Sequence, residues 1–337
     1  MSNPILTRAI DRVAAGEDLP SGEAAQVLRE IMEGGASEAE TAGFLMALRT
    51  KGETVQEIAG LAATMRALAL PVDAGGDLVD TAGTGGGRPT FNVSTTAAFV
   101  AAGAGCRVAK HGNRSATSQC GSADVLEALG ARIDLEPDEV AGCIDQVGFG
   151  FMFAPKHHSA MRYVVPVRKA LAVRTIFNFL GPLTNPAGAT RQVIGVSDPT
   201  RLETIAGALG ELGTDKALVV SSADGLDEFS VSGATRVVEL SEGRLSTYDV
   251  TPEEVGLEPV ADGAVGAGTP EQNARVLRGV LAGDDGTESK LALLNAAAAI
   301  YVGGRAGSLG EGLARARESI ESGAATRTLE RYLEFAR

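Results

Sequence analysis

The sequence predicts an α/β protein in which a small all-helical domain precedes a large α/β domain with a mainly parallel central sheet. Three observations carry that expectation. About the first seventy residues show helical apolar periodicity and no strand signal. From Leu78 onward, short apolar runs alternate with helical stretches. Two of those runs lead directly into glycine-containing polar turns that open helices.

Taken in order, Ser37 with Glu40 and Thr54 with Glu57 have capping-box spacing. Each stands ahead of an apolar helical stripe, Phe44, Leu45 and Leu48 after the first and Ile58, Leu61, Met65 and Leu68 after the second. Pro71 and Gly75-Gly76 break the pattern, so the boundary falls between a helical domain, 1–70, and a large α/β domain, 71–337. The stripes need covering, by the rest of the chain or by a second copy. Strands are expected at 78–79, 106–109, 131–135, 149–153, 192–196 and 217–221, with helices at 94–102, 122–129, 138–147 and 201–212. This β-α order implies parallel pairing, with ligands bound beyond the carboxyl ends of the strands. Residues 232–248 read as a hairpin-like excursion and the tail from Gln272 as three helices.

Composition narrows the function. With 337 residues, 44% hydrophobic and 22% charged, the chain has material for a large core and a smaller one. A net charge of −13 repels nucleic acid and anionic lipid, so an anionic substrate must be held by local positive groups. The opening segment, with Asp11, Glu17 and Asp18, does not read as a signal peptide, and no apolar run is long enough to span a bilayer. Cys106, Cys120 and Cys143 lack C-x-x-C spacing and read as reduced thiols, so a cytoplasmic protein is expected.

Four segments could carry chemistry. Asp80-Thr81-Ala82-Gly83-Thr84-Gly85-Gly86-Gly87 follows a strand, and Phe91-Asn92-Val93-Ser94-Thr95 then opens a helix. Missing Cβ atoms let backbone N–H groups approach an anion, and the helix N-terminus adds its own amides; the other reading is a flexible turn. The loop fits neither the nucleoside triphosphate nor the dinucleotide fingerprint. Lys110-His111-Gly112-Asn113-Arg114-Ser115-Ala116-Thr117-Ser118, continuing to Ser122, gathers cations, an amide and hydroxyls suited to phosphate, unless it is only a solvated basic loop. Asp224-Gly225-Leu226-Asp227-Glu228 offers adjacent carboxylates for Mg²⁺ shared with substrate phosphates, against the commoner solvated acidic turn. In the fourth segment, Arg168 is suited to clamping a carboxylate or is simply a surface arginine. His157 and His158, adjacent in the chain, make poor joint metal ligands. The residues alone thus point to a Mg²⁺-assisted enzyme for a phosphorylated metabolite.

In these segments the chain closely resembles the anthranilate phosphoribosyltransferase family. The Gly-Thr-Gly-Gly loop with Phe-Asn-x-Ser-Thr, the Lys-His-Gly-Asn-Arg loop, Arg-Thr-x-Phe-Asn-x-Leu-Gly-Pro-Leu-x-Asn-Pro and Asp-Gly-x-Asp-Glu occur in order over nearly the whole chain. The resemblance implies a nucleoside phosphorylase/phosphoribosyltransferase-like fold, with the small domain completed by helices near 160–185, and assembly as a homodimer. It implies transfer of the phosphoribosyl group of phosphoribosyl pyrophosphate to the amine of anthranilate in tryptophan biosynthesis, with Mg²⁺. The residues implied for phosphoribosyl pyrophosphate are Gly83, Gly86, Gly87, Asn92, Val93, Ser94, Thr95, Lys110, His111, Gly112, Asn113, Arg114, Ser115, Ala116, Thr117, Ser118 and Ser122. Gly83, Asn113 and Arg168 match the anthranilate positions, and Ser94, Asp227 and Glu228 the metal positions. Arg168, Asn113 and His111 are the expected catalytic set, His111 as an aid to proton removal. A pyrimidine nucleoside phosphorylase and a nucleic-acid-binding paralogue are the alternatives. The chain departs from its family at Gly87, where Asp is usual, followed by Arg88-Pro89. Two consequences are expected: tolerance of high Mg²⁺, because no carboxylate traps a further ion, and added attraction from Arg88; the competing reading is that Gly87 only lets a shortened loop close.

Overall fold

The computed structural model describes residues 2–115 and 119–337. The two capping boxes form as the spacing predicts. Ser37 Oγ accepts from the Glu40 N–H at 3.2 Å and the Glu40 carboxylate accepts from the Ser37 N–H at 2.9 Å. Thr54 and Glu57 repeat this at 3.3 and 2.9 Å. Glu57 does more than cap: its buried carboxylate also accepts from Leu19 N–H and from Lys51 Nζ, each at 3.0 Å, tying three segments of the bundle together.

The sheet has seven strands among the described residues: β1 (Leu78–Gly83), β2 (Arg107–Gly112), β3 (Phe149–Phe153), β4 (Arg191–Gly195), β5 (Lys216–Ser222), β6 (Thr235–Ser241) and β7 (Arg244–Val250). Their order is β3-β2-β1-β4-β5-β6-β7. Pairing is parallel from β3 to β5 and antiparallel from β5 to β7. The chain runs outward from β1 through β2 to β3, then returns to place β4 on the other side of β1. That reversal opens a crevice at the carboxyl ends of β1 and β4, where Gly83 lies beside Gly195.

Successive strand residues divide between two apolar layers, as the two-residue side-chain period demands. Val193, Leu218, Val220 and Val237 join the layer built with the helix Val93–Gly103 and the C-terminal helices. Ile194, Val219 and Val238 join the other, which includes Leu6, Leu28, Phe44 and Leu61 of the N-terminal helices. The same second layer takes in Val164, Val167, Ile176, Leu180 and Leu183, so segment 164–183 packs with the N-terminal helices and with the sheet at once. Arg66 fastens this junction, donating to the Leu183 and Leu212 carbonyls at 2.7 and 3.2 Å.

Two expectations fail. Residues 131–135 alternate buried and exposed as a strand would, yet pair with no strand among the described residues. Their backbone instead donates to Leu126 O and Ala336 O, because burial alternation does not supply a neighbouring ladder. The tail holds four helices rather than three: Pro270–Ala282, Thr287–Val302, Leu309–Glu321 and Ala324–Phe335. Gly323, at φ +72°, breaks the last stretch into two. Among the described residues no helix is long and apolar enough to cross a membrane.

Candidate active site

A cavity of about 670 Å³ opens at the carboxyl ends of β1, β2, β4 and β5. It is lined by the glycine loop, the Lys110 loop, the acidic turn and segment 168–182. The first wall is held by close backbone approach. A Cβ on Gly83 would lie 2.8 Å from Asp227 Oδ2, and one on Gly195 would lie 1.5 Å from the Asp227 carbonyl oxygen. Side chains at these positions would push the acidic turn away from β1 and β4. Gly195 was not singled out by sequence; a glycine at the end of a predicted strand was the available signal.

The glycine loop is pinned at both ends and open in the middle. Gly85 N–H donates to Asp227 Oδ2 at 3.0 Å, and Arg88 N–H to Gly225 O at 2.8 Å. Between them, the Gly86 and Gly87 amides have no acceptor among the described residues. The helix that follows is also uncapped. Asn92 precedes it, but its side chain turns away, accepting from Asn273 Nδ2 at 2.9 Å and donating to Cys120 O at 3.3 Å. First-turn amides left without a side-chain acceptor, at the edge of a cavity, make an anion site.

The cations of these loops are largely engaged by the protein itself. Lys110 is buried, and its Nζ donates to Thr81 O, Thr81 Oγ1 and, at 3.2 Å, Ser94 Oγ. Burial pulls its pKa down to about 8, with Asp80 and Glu228 opposing the shift. Arg114 pairs with Asp124 at 3.0 Å and with Glu127, and stacks on Phe153. Arg88 pairs with Asp224 at 3.5 Å and with Asp262. The expected added attraction from Arg88 is therefore corrected: that guanidinium braces the loop against the acidic turn. The glycine at position 87 has a steric basis too. A Cβ there would lie 2.6 Å from Asp227 Oδ1, 2.9 Å from Asp227 N and 3.0 Å from Gly225 O, as the loop-closure reading requires.

Arg168 differs from these cations. It lies half-buried on the helix Val165–Leu171, lines the cavity and stacks on Phe177 at 5.8 Å. Among the described residues it has no carboxylate partner, and burial depresses its pKa. Close by in the fold, all three histidines of the chain gather in buried positions. His111 and His158 have ring centroids 5.1 Å apart, and His111 Nδ1–H donates to Gly181 O at 3.2 Å. Desolvation, then the neighbouring rings, lower His111 to about 3 and His158 to about 4, so both are neutral at pH 7. His157 Nδ1–H donates to Leu70 O at 2.8 Å.

Most of the expected residues meet here. Gly83, Gly86, Gly87, Asn92, Val93, Ser94, Lys110, His111, Gly112, Asn113, Arg114, Ser115, Ser122, Arg168, Asp227 and Glu228 line the cavity. Thr95 is the exception: it is fully buried one position deeper in the helix and does not line the cavity. Ala116, Thr117 and Ser118 lie outside the described residues.

The acidic turn offers two carboxylates of the cavity lining to a metal. Glu228 accepts from Thr90 Oγ1 at 3.3 Å, while desolvation, then Asp227, raise its pKa well above the usual carboxylate range. A cation would relieve that conflict. Among the described residues no group of three or more His, Cys, Asp or Glu is placed to hold a metal. Two hard oxygen ligands fit an ion completed by substrate phosphates and water, the usual manner of Mg²⁺.

Known proteins match this architecture along its length. Residues 7–69 match the helical bundle domain of a glycosyl transferase family and residues 75–326 its α/β domain. The anthranilate phosphoribosyltransferase of Rubrobacter xylanophilus is 52% identical over 335 residues, 99% of this chain and 98% of the relative. The crystal structure of the Thermus thermophilus enzyme is 45% identical, with a TM-score of 0.92 over 97% of this chain and 99% of that one. The Saccharomyces cerevisiae enzyme, solved with phosphoribosyl pyrophosphate and Mg, is 29% identical, with a TM-score of 0.90 over 99% and 98%. With its motifs on one cavity and its relatives aligned from end to end, the chain belongs to the anthranilate phosphoribosyltransferase family.

Proposed function

We propose that this protein transfers the phosphoribosyl group of phosphoribosyl pyrophosphate to the amine of anthranilate, releasing pyrophosphate, as a step of tryptophan biosynthesis. The observation that carries the proposal is a cavity with two differently equipped walls. One offers to phosphate the Gly86 and Gly87 amides, which have no acceptor among the described residues, and a helix N-terminus with no side-chain cap. The other offers Arg168, a half-buried guanidinium with no acidic partner among the described residues, to a carboxylate.

The reaction asks the protein mainly to position two reactants and to stabilise departing charge. Arg168 holds the anthranilate carboxylate, with the Asn113 and Gly83 positions beside it, so the neutral amine faces C1 of the ribose. The glycine loop, Asn92, Ser94 and the 110–122 loop hold the phosphates. Asp227 and Glu228, with Ser94, would hold Mg²⁺, which would supply charge neutralisation for the leaving pyrophosphate. An arylamine is nucleophilic when neutral, so no strong base is required. With a pKa of about 3, His111 is a weak base, and its Nε2 lies buried without a partner among the described residues. It is better suited to shaping the anthranilate end than to general-base catalysis.

We also propose a homodimer, supported by Leu70, Tyr163, Val165 and Val173, large apolar side chains left exposed in segments that pack with the helical layer. Light scattering tests it. A cytoplasmic location agrees with three buried, unbridged cysteines. The activity is tested by loss of anthranilate fluorescence with phosphoribosyl pyrophosphate and Mg²⁺. Activity with thymidine or uridine and phosphate instead would overturn the assignment.

A further inference from the structure

Arg174 has no part in the roles assigned above, yet it is the cavity cation most intimately joined to the glycine loop. Its Nη2 donates to Gly85 O at 2.8 Å and its Nη1 to Ser197 Oγ at 3.1 Å. Ser197 Oγ in turn donates to the same Gly85 oxygen at 3.1 Å. The guanidinium lies where a Gly86 Cβ would be 2.5 Å away, and it stacks on Phe179 at 5.9 Å. Gly85 is thus gripped from both sides, by its N–H on Asp227 and by its carbonyl on Arg174 and Ser197.

In a trans peptide the carbonyl and the following N–H point in opposite directions. Fixing the Gly85 oxygen therefore fixes the Gly86 N–H on the opposite side of that plane, and this amide has no acceptor among the described residues. Gly85 and Gly86 both have positive φ, where glycine moves between backbone basins at little cost. An unheld plane would turn over readily. We propose that Arg174 is a positioning residue: by holding the Gly85 carbonyl, with Ser197, it presents the Gly86 amide to the pyrophosphate end of the phosphorylated substrate. Arg174 lies six residues beyond Arg168, on the segment packed with the N-terminal helices, so one segment equips both substrate positions.

The inference rests on the proposed reaction, whose own test is wild-type activity. The test of the inference is a double-mutant cycle on Arg174→Ala and Ser197→Ala. Its readouts are the two Michaelis constants and calorimetric binding of inorganic pyrophosphate with Mg²⁺. Arg174→Ala is expected to raise KM for phosphoribosyl pyrophosphate about 10-fold or more, the scale of one charge-assisted hydrogen bond, and to weaken pyrophosphate binding in parallel. KM for anthranilate should stay within about twofold. Ser197→Ala should move the same constants less, and the double variant should cost less than the product of the two. Arg174→Lys, which keeps one donor, should recover part of the loss. Wild-type pyrophosphate binding in both single variants would overturn the proposal. So would a silent Ser197→Ala beside a damaged Arg174→Ala, since that marks direct contact with the substrate instead.

Discussion

The two walls of the cavity use charge in opposite ways. On the wall proposed for phosphate, Lys110, Arg114, Arg88 and Arg174 all have partners within the protein, and the groups without one among the described residues include the Gly86 and Gly87 amides. Elsewhere in the lining, the cation without an acidic partner among the described residues is Arg168. The difference teaches that cations near an anion site need not touch the anion. Held amides lose no rotamer freedom when a polyphosphate arrives, whereas a long side chain does. A single carboxylate on a flat aromatic acid gains more from one planar, bidentate guanidinium.

The strongest way to break this contrast is to remove the acids that brace the phosphate wall. Replacing both Asp227 and Glu228 by Ala is expected to lower kcat by about 10³-fold or more, the several kcal/mol that charge neutralisation of a leaving group supplies. Circular dichroism should report a folded protein and Mg²⁺ titration no recovery. Normal activity with normal Mg²⁺ dependence would put the metal elsewhere. Next in size is Gly195→Ala, whose new methyl lands on the Asp227 carbonyl. Displacing the acidic turn by about 1 Å should cost on the order of 10² in kcat/KM. A crystal structure of that variant with the turn unmoved would refute the steric account.

Arg168→Ala probes the other wall. Loss of a charge-assisted contact should reduce kcat/KM for anthranilate by ~10- to 150-fold, ~1.5–3 kcal/mol, with KM for phosphoribosyl pyrophosphate little changed. Unaltered anthranilate kinetics would sink the assignment.

What could be read from the chain was what is local. The capping boxes are three-residue spacings, and they formed. Motif positions followed strands, so the cavity's lining was largely foreseeable. Pairings between residues far apart in sequence were hidden: Arg88 with Asp262, Gly195 under Asp227, and Arg174 on Gly85 lie 174, 32 and 89 positions apart. Residues 131–135 failed for the same reason, since alternation announces a buried edge but not a partner strand.

The last expected effect is on stability rather than turnover and concerns His111 and His158. Their native pKa values lie below the unfolded value of 6.5, so the unfolded chain binds protons that the native protein refuses. Their contribution to stability is complete above pH 6.5 and falls as pH drops, down to about 4 for His158 and about 3 for His111. At pH 5, His111 and His158 should each cost on the order of 2 kcal/mol, from ~1.36 kcal/mol per pH unit. Urea unfolding midpoints measured from pH 7.5 to 5 should show the decline, and His158→Phe should flatten it. An equally steep slope in that variant would assign the effect to other groups.

Because no other histidine exists in the chain, its entire imidazole proton spectrum comes from one place, the seam where Leu70 and Gly181 meet the end of β2. Each of the three rings carries two carbon-bound protons, and all six report on that seam. Magnetic resonance can thus follow anthranilate arriving beside His111, with shifts expected on anthranilate addition and far smaller ones on pyrophosphate addition.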